Sequence, residues 1–353
     1  MLYEIGEVAK AQKYLTCAEK NDPFNIIHFI NANLRLSPVM MNNSQIDFER
    51  KQFKKEIKNL QNKKNMYYEN PKSFITSIFY LAYQNRTDNR LLLEDFAETL
   101  SQANGLKFEK FSSDKYLNSC SIRKNLKIGI CSSFLRENHS VGKCFINLLK
   151  DLLNTDIEMI IFITPDERNN SSRIIFDDSF KNIIRLPNCP IIAKNIILSE
   201  QLDLLFYPDI GMHSYSYILA LSRLALVQVN SLGHGSTSGI KNIDYYITHS
   251  LEPTKSNSEY TESIVRFNKL PFNFAKPKIY EERIRNKNIL NKSNTFYIGL
   301  IQALVKIHPS YDEVLESILL EIKNSFLVII TDKSNYKYDL ILKRWSRNRN
   351  LII

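Results

Sequence analysis

The sequence predicts an α/β protein with a helical N-terminal region, then a parallel sheet with helices on both faces, then a second strand–helix unit. Apolar residues before residue 115 recur near helical spacing, whereas from about residue 125 short apolar runs alternate with helical segments. Such runs are typical of strands buried on both faces of a parallel sheet. We therefore expect three domains, at residues 1–115, 125–280 and 294–353.

The first of these domains is expected to contain two or more helical hairpins. A long polar segment from residue 46 carries apolar residues near helical spacing: Phe48, Phe53, Ile57 and Leu60. Residues 73–83 form a compact apolar helix candidate, and residues 91–100 form another, which the Asn104-Gly105 pair would end. The region is a candidate tetratricopeptide-like remnant, although it contains no clean repeat.

Six short apolar runs predict the strands of the first sheet: residues 126–131, 157–163, 182–186, 202–207, 226–230 and 243–248. Helices are expected between several of these strands, near residues 140–153, from Pro190, and near residues 215–224. Pro190 suits the first turn of a helix because proline lacks the N–H that this turn leaves unbonded. This alternation predicts a Rossmann-like domain.

The C-terminal unit repeats the same pattern on a smaller scale. Residues 295–301 and 326–331 predict two strands, each followed by a helix, at residues 309–323 and 336–347. The chain ends on Leu351-Ile352-Ile353, which resembles the opening of a third strand. Since two strands and two helices cannot bury both faces of a sheet, we expect an incomplete second Rossmann-like domain that needs to dock on the rest of the chain.

The composition is that of a globular protein in a reducing compartment. Of 353 residues, 44% are hydrophobic and 24% are charged. The five cysteines are widely spaced and include no CxxC pair, which favours free thiols over disulfides. The N-terminus has no signal-peptide pattern, and no apolar run approaches the roughly 20 residues that span a bilayer. We expect a cytoplasmic protein with no membrane partner.

The positive net charge favours phosphate-bearing partners in general. Lys and Arg total 47 against 37 Asp and Glu, which gives a net charge of +10. The charge is scattered, and its densest cluster, residues 51–64, alternates with Glu and Gln as a solvated helix face does. Nucleic acid is therefore a weak hypothesis, because arginine–glycine tracts and metal-finger spacings are absent from the sequence.

Candidate site residues lie in loops after the predicted strands, where open parallel sheets bind their ligands. Four of the six histidines fall in four of these loops: His139, His213, His234 and His308. His139 follows the first strand and precedes a helix, so its imidazole could accept a proton from a hydroxyl or orient a substrate. From spacing alone, a helix-capping role for His139 is the simpler interpretation.

A loop of small residues follows the fifth strand: Gly233, His234, Gly235, Ser236, Thr237, Ser238 and Gly239. It offers N–H donors and three hydroxyls that could receive phosphate or sugar groups, although an ordinary turn would have the same composition. Lys306 follows the first strand of the C-terminal unit. Its amine could neutralise a diphosphate leaving group, or it could be a solvated surface lysine.

Acidic residues also follow two of the predicted strands. Asp209 and Glu167 could bind sugar hydroxyls or cap helices. The sequence has no histidine pair at i, i+4 and no DxD triplet, so it predicts no metal site.

The most specific signal is carried by five segments: residues 127–145 (KIGICSSFLRENHSVGKCF), 204–212, 219–247 (which includes SLGHGSTSGIKN), 259–270 and 298–314 (IGLIQALVKIHPSYDEV). Together they resemble the catalytic region of the O-linked N-acetylglucosamine (O-GlcNAc) transferase family, including its SPINDLY-like bacterial branch. Residues 32–38 and 79–84 are similar to the helical lead-in of that branch. The resemblance covers most of residues 30–345.

The resemblance implies a GT-B fold, in which two Rossmann-like domains face each other across a cleft. It also implies transfer of a sugar, N-acetylglucosamine first among the candidates, from a UDP-sugar to Ser or Thr hydroxyls of an acceptor protein, with inversion and without a metal or other cofactor. By this resemblance, His139 matches the family's active-site histidine and Lys306 matches the lysine that contacts the UDP diphosphate. The loop from Gly233 to Gly239 matches the one that lines the donor cleft.

The sequence departs from the family at several positions. Ser140 stands where the family has a proline after the histidine, and Ala303 stands at a usually polar position to which Gln302 is adjacent. The family's downstream His-Thr-Thr segment and ribose-binding Asp would lie beyond Ile353. We therefore rank three hypotheses: a protein O-glycosyltransferase-like enzyme, a catalytically silent protein-binding remnant of one, and a nucleic-acid-binding protein.

Overall fold

In the part of the chain that the structure describes, four α-helices and a 3₁₀ helix are followed by two parallel sheets with their own helices. The computed structural model describes residues 2, 3, 5–69, 78–106, 123–136, 139–165, 179–274, 295–331 and 335–346. Its helices and strands follow the predicted order, which confirms the α/β fold class. Within these ranges, no helix combines the length and the apolar composition that crossing a membrane requires.

The N-terminal region is helical, as predicted. It contains α1 (Val8–Asn21), α2 (Ile26–Asn33), α3 (Asn43–Gln61), a 3₁₀ helix (Ile78–Tyr83) and α4 (Asn89–Ser101). The side chains of Asn25 and Asn42 accept backbone N–H bonds at the starts of α2 and α3, which explains why those helices begin there. Phe48, at helical spacing with the buried Phe53, Ile57 and Leu60, is itself 61% exposed. The helix candidate at residues 73–83 is a 3₁₀ helix over its described part, Ile78–Tyr83.

Within the described ranges the larger sheet has seven parallel strands, one more than the sequence predicted. They are β1 (Lys127–Ser132), β2 (Glu158–Ile163), β3 (Ile183–Arg185), β4 (Leu202–Tyr207), β5 (Ala225–Ser231), β6 (Tyr245–His249) and β7 (Ser263–Phe267). Their order is β3-β2-β1-β4-β5-β6-β7, so the direction of winding reverses between β1 and β4. Ligands bind near such a reversal, at the carboxyl ends of the strands.

Both faces of this sheet are covered. On one face, α5 (Ser140–Leu152) packs Phe145 and Leu149 against Ile130 and Phe206. On the other face lie α6 (Pro190–Ser199), α7 (Ser214–Ala220) and part of the helical region, in one continuous cluster of buried side chains. The apolar runs that predicted the strands therefore reflect burial from both sides.

The helical region shares the core of the sheet. Phe53, Leu92 and Phe96 belong to the same buried cluster as Leu205 and Tyr217, and the Phe96 and Tyr217 rings lie 6.0 Å apart. The predicted domain limits near residues 115, 280 and 294 fall outside the described ranges and stay predictions, as does the tetratricopeptide-like character.

The part of the smaller sheet that the structure describes has two parallel strands, β8 (Phe296–Leu300) and β9 (Ser325–Ile329). Two 3₁₀ helices (Leu304–Lys306 and Pro309–Tyr311), α8 (Asp312–Glu321) and α9 (Tyr336–Trp345) complete this unit. Its buried cluster contains Val39 of the helical region. The Arg344 guanidinium also donates to the carbonyl oxygen of Met40 at 2.9 Å, so the unit docks on the helical region.

Candidate functional site

His139 lies at the carboxyl end of β1 and caps α5. Its Nδ1 atom accepts the backbone N–H of Val141 at 3.2 Å, the capping role that its position had suggested. Because Nδ1 is an acceptor, the neutral imidazole carries its hydrogen on Nε2. In this arrangement the ring can donate a hydrogen bond to a ligand oxygen, whereas taking a proton at Nε2 would require the other tautomer.

Two aromatic contacts connect His139 to the end of β4. The Phe134 ring stacks on His139 with centroids 4.4 Å apart and an interplanar angle of 21°. The same ring meets His213 edge-on at 6.1 Å. His213 caps α7 by accepting the N–H of Tyr215 at 3.3 Å, so the ends of β1 and β4 present two histidines in the same way.

His234, after β5, is buried beside Lys306 of the smaller unit. Its side chain is packed so closely against Gly211 that a Cβ atom on that glycine would lie 3.1 Å from the imidazole. Burial, together with the nearby positive charge of Lys306, lowers the pKa of His234 to about 4. His234 is therefore neutral at physiological pH, and it marks the place where the two units meet.

Lys306 ends the 3₁₀ helix that follows β8, and its side chain is exposed. The Nζ atom lies 5.4 Å from the centroid of the Tyr83 ring, which belongs to the helical region. Gln302 is also exposed, and its Oε1 accepts the N–H of Ala303 at 2.9 Å. Lys306 therefore has an aromatic ring of the helical region and an imidazole of the larger sheet as neighbours.

Most of the loop from Gly233 to Gly239 is buried, and the hydroxyl groups of Thr237 and Ser238 are engaged within the protein. Thr237 Oγ1 donates to Glu262 at 2.6 Å, and both the backbone N–H and the hydroxyl of Ser238 donate to the same carboxylate. A cavity of about 10 Å³ lies beside Ser236 and His234, which is room for a single water. These hydroxyls consequently hold the loop in place rather than face open solvent.

The glycines of this loop divide into two kinds. A Cβ atom on Gly233 would lie 2.1 Å from the Pro208 carbonyl oxygen, and one on Gly239, where φ is +72°, would lie 2.4 Å from the backbone of Leu93. Both positions therefore require glycine for close approach. Gly235 is exposed and has nothing within 4 Å of such an atom, so the turn at Gly235 is the open part of the loop.

Asp209 follows β4 and is fully buried. Ser132 Oγ at the end of β1 donates to its carboxylate, while Oδ1 has no hydrogen-bond partner among the described residues. Burial raises the pKa of Asp209 to about 7, and the Ser132 hydrogen bond opposes that shift. Asp209 thus ties two strand ends together beneath the site. Glu167 lies outside the described residues.

The candidate site therefore consists of two groups of side chains: His139, Phe134 and His213 at the ends of β1 and β4, and His234 with Lys306. Gly211, two residues before His213, packs against the His234 ring and links the two groups. Sequence reasoning selected the three histidines and the lysine from their loops. It missed the side chains that hold them, namely Phe134, Tyr83 and Glu262. No local pattern marks these three residues, because each acts on a partner from another segment of the fold.

Among the described residues, a larger opening lies outside these two groups of side chains. A groove of about 500 Å³ lies in the helical region near the C-terminal ends of α3 and α4, where Gln61, Lys64 and Gln102 contribute to its lining. It contains none of the residues selected from the sequence. Among the described residues, no group of three or more His, Cys, Asp or Glu side chains is arranged to hold a metal ion.

Comparison with solved structures defines the class of fold. The order of two parallel sheets with their helices is that of an α/β, GT-B-like fold. One similar structure is a mutant of the O-GlcNAc transferase of Thermobaculum terrenum, with a TM-score of 0.59. The match covers 96% of this chain and 62% of that chain, so this chain spans less than two thirds of its neighbour.

The structural likeness extends to the fold and not to the activity, because the two sequences are 16% identical. No protein-family model matches the chain, and a search of curated proteins finds no match. What this chain binds and catalyses therefore has to be argued from its own side chains.

Proposed function

We propose that this protein is a glycosyltransferase-like protein that takes a sugar from a UDP-sugar and transfers it to Ser or Thr hydroxyls of an acceptor protein. N-acetylglucosamine is the first candidate sugar, and transfer proceeds with inversion and without a metal. The observation that carries this proposal is the position of Lys306, which follows the smaller sheet. Its Nζ atom lies 5.4 Å from the centroid of the Tyr83 ring, and its charge is near enough to His234, after β5 of the larger sheet, to lower the pKa of that histidine.

Lys306 would stabilise the departing diphosphate. Sugar transfer builds positive charge at the anomeric carbon and negative charge on the UDP leaving group, so a fixed cation at the diphosphate lowers the barrier. The proposal is supported by the exposure of the Lys306 side chain and by the neutral state of His234, which leaves the lysine without an adjacent repelling charge. Gln302 and the turn at Gly235 would contribute hydrogen bonds to the same ligand.

His139 would orient a substrate rather than accept its proton. With Nδ1 engaged by the Val141 N–H, the Nε2–H of the neutral ring donates to an oxygen of the donor or of the acceptor hydroxyl. The stacked Phe134 ring fixes the plane of the imidazole, and fixed orientation is a large part of what transfer reactions need from a protein.

Donor binding tests this proposal first, because transfer depends on it. Calorimetry with UDP should show saturable binding to the wild-type chain and much weaker binding to Lys306→Met. Lys323→Met is the matched control, since Lys323 is an exposed lysine of the same unit and should leave binding unchanged. Absence of UDP binding by the folded wild-type chain would remove the proposal.

Transfer is then measured with labelled UDP-N-acetylglucosamine and Ser/Thr peptides. Lys306→Met and His139→Ala should each lower the rate by about 10²–10³-fold, because each removes one fixed donor from the site. His139→Asn should retain more activity than His139→Ala, since an asparagine side chain can also cap α5 and offer an N–H donor. Equal losses in both His139 variants would contradict the donor role.

A catalytically silent protein-binding function is the second candidate. It is favoured by the apolar face of the smaller sheet, where Phe326 is 39% exposed and Val328 is 40% exposed. Capture of a defined acceptor protein by a chain that does not bind UDP would favour it over sugar transfer.

A further inference from the structure

The 3₁₀ helix of the helical region reaches the candidate site and carries aromatic side chains into it. Its Ile78 and Leu81 side chains are 2% and 1% exposed and belong to the main buried cluster. Since a 3₁₀ helix repeats every three residues, these two side chains anchor one edge of the helix. Phe79 and Tyr83 lie on other edges, where they contact His234 and Lys306 respectively.

The Tyr83 ring has a fixed position behind Lys306. Phe79 meets it edge-on with centroids 6.1 Å apart, and Phe79 in turn meets His234 edge-on at 6.3 Å. The next residue, Gln84, is 1% exposed and accepts a hydrogen bond from the buried Arg50 guanidinium at 3.0 Å. The ring contact with Phe79 and the anchored side chain of the neighbouring Gln84 therefore restrict how the Tyr83 ring can move.

The contact between Tyr83 and Lys306 is of the cation–π type. The 5.4 Å separation between Nζ and the ring centroid is within the range in which such contacts are attractive. Burial raises the pKa of the Tyr83 hydroxyl, so the ring is neutral at physiological pH and no ion pair forms. The attraction therefore comes from the face of the ring, which phenylalanine also possesses.

We infer that Tyr83 is a positioning residue that holds the Lys306 amine beside His234, so that the helical region forms a third wall of the ligand site. An exposed lysine has a flexible four-carbon stem and loses much rotamer freedom when it binds a ligand. A ring that already confines the stem reduces that loss. The consequence for UDP affinity rests on the proposed function, whereas the consequence for His234 does not.

A double-mutant cycle measured with UDP tests the ligand side of this inference. Tyr83→Leu should weaken UDP binding by about 2- to 30-fold, the range that cation–π contacts correspond to. Tyr83→Phe should bind UDP as the wild type does. In a Lys306→Met background, Tyr83→Leu should have no further effect. If Tyr83→Leu weakens UDP binding in the Lys306→Met background as much as it does in the wild type, Tyr83 acts on UDP binding independently of Lys306.

The ring of His234 provides a second readout, because its pKa responds to the charge of Lys306. NMR titration of His234 from pH 8 down to the acid limit at which the chain stays folded should give the same low pKa in the wild type and in Tyr83→Phe. Tyr83→Leu should let the amine move away and so raise the His234 pKa, although burial, the larger cause, still holds it below the ordinary value. Lys306→Met should raise the pKa as well, and adding Tyr83→Leu to it should change nothing more.

UDP affinity and the His234 titration together distinguish failure of the proposed function from failure of this inference. If the wild type does not bind UDP, the proposed function fails while the His234 titration still decides the role of Tyr83. If Tyr83→Leu leaves both UDP affinity and the His234 titration unchanged, the inference is overturned. Tyr311→Leu, which alters a 44% exposed tyrosine of the smaller unit, is the control for unspecific loss of an aromatic ring.

Discussion

Among the described residues, the seven-stranded sheet has side chains packed on both faces, whereas the two-stranded sheet has them on one. In the larger sheet, neighbouring residues of β2 that point to opposite faces are both buried: Ile161 is 1% exposed and Phe162 is 0% exposed. In the smaller sheet, Leu327 is 3% exposed, but Phe326 and Val328 on either side of it are 39% and 40% exposed. An apolar run thus forms a strand buried on both faces in the larger sheet and a strand buried on one face in the smaller sheet.

The smaller unit compensates by using the helical region as part of its core. Val39 joins its buried cluster, and Arg344 connects α9 to the carbonyl oxygens of Met40 and Ile307 and to Asp312. The comparison teaches that an apolar run specifies a strand without specifying what covers it. It also predicts that the smaller unit can lose its structure while the larger sheet keeps its own.

The largest expected effect comes from Arg344→Met. The guanidinium is 2% exposed, and its loss leaves the Asp312 carboxylate buried with only the Trp345 N–H as a described partner. Breaking a buried pair in this way costs about 3–5 kcal/mol. Hydrogen exchange should show loss of amide protection in β8, β9 and α9, with protection retained in β4 and β5.

Arg223→Met provides the control for Arg344→Met in the larger sheet. The Arg223–Asp244 pair is 21% and 30% exposed, so its removal should cost less. Uniform loss of protection in both sheets after Arg344→Met would show that the two units unfold together.

The next effect compares a glycine in the first strand of each sheet. A Cβ atom on Gly129 of β1 would lie 2.5 Å from a methyl carbon of Leu202 and 2.9 Å from the Phe162 ring. Gly129→Ala should therefore cost about 1–3 kcal/mol. On Gly299 of β8 the same atom would lie 3.4 Å from Ile301, an ordinary contact, so Gly299→Ala should cause no loss. Thermal unfolding of the two variants measures the difference.

The strands could be predicted from sequence wherever burial on two faces makes them continuously apolar. The prediction for β4 matches its observed bounds, Leu202–Tyr207. The strand β7 was missed because it lies at the edge of the sheet, where both of its terminal residues, Ser263 and Phe267, are exposed. The 3₁₀ form of residues 78–83 was missed because an apolar run carries no information about which helical period it adopts.

The candidate site could be predicted only as a set of loops. Topology assigns His139, His234 and Lys306 to strand ends, since the carboxyl ends of parallel strands carry the ligand-binding loops. Their partners depend on packing between distant segments: Tyr83 contacts Lys306, and Glu262 engages Thr237. The hydrogen-bonding nitrogen of His139 is likewise a property of the folded cap and cannot be read from residue spacing.

A smaller effect distinguishes two buried valines of equal size. Val39→Ala removes two methyl groups from the core of the smaller unit and should cost about 1.5 kcal/mol, although Val39 lies in the helical region. Val141→Ala is the matched change in α5, where the valine is 2% exposed against the larger sheet. Protection of backbone amides from hydrogen exchange should weaken in β8 and β9 for Val39→Ala, and in β1 and β2 for Val141→Ala. The opposite pattern would contradict the docking described above.

The smallest effect is expected on the uncovered face of the smaller sheet. Val328→Thr replaces a 40% exposed side chain with one of the same shape, and surface changes of this kind stay within about 0.5 kcal/mol. Val229→Thr makes the same change in β5, where the valine is 3% exposed, and a buried hydroxyl without a partner costs about 1–3 kcal/mol. Chemical denaturation of both variants measures the contrast. A cost at Val328 equal to that at Val229 would mean that this face is covered in solution, because only a desolvated hydroxyl carries such a penalty.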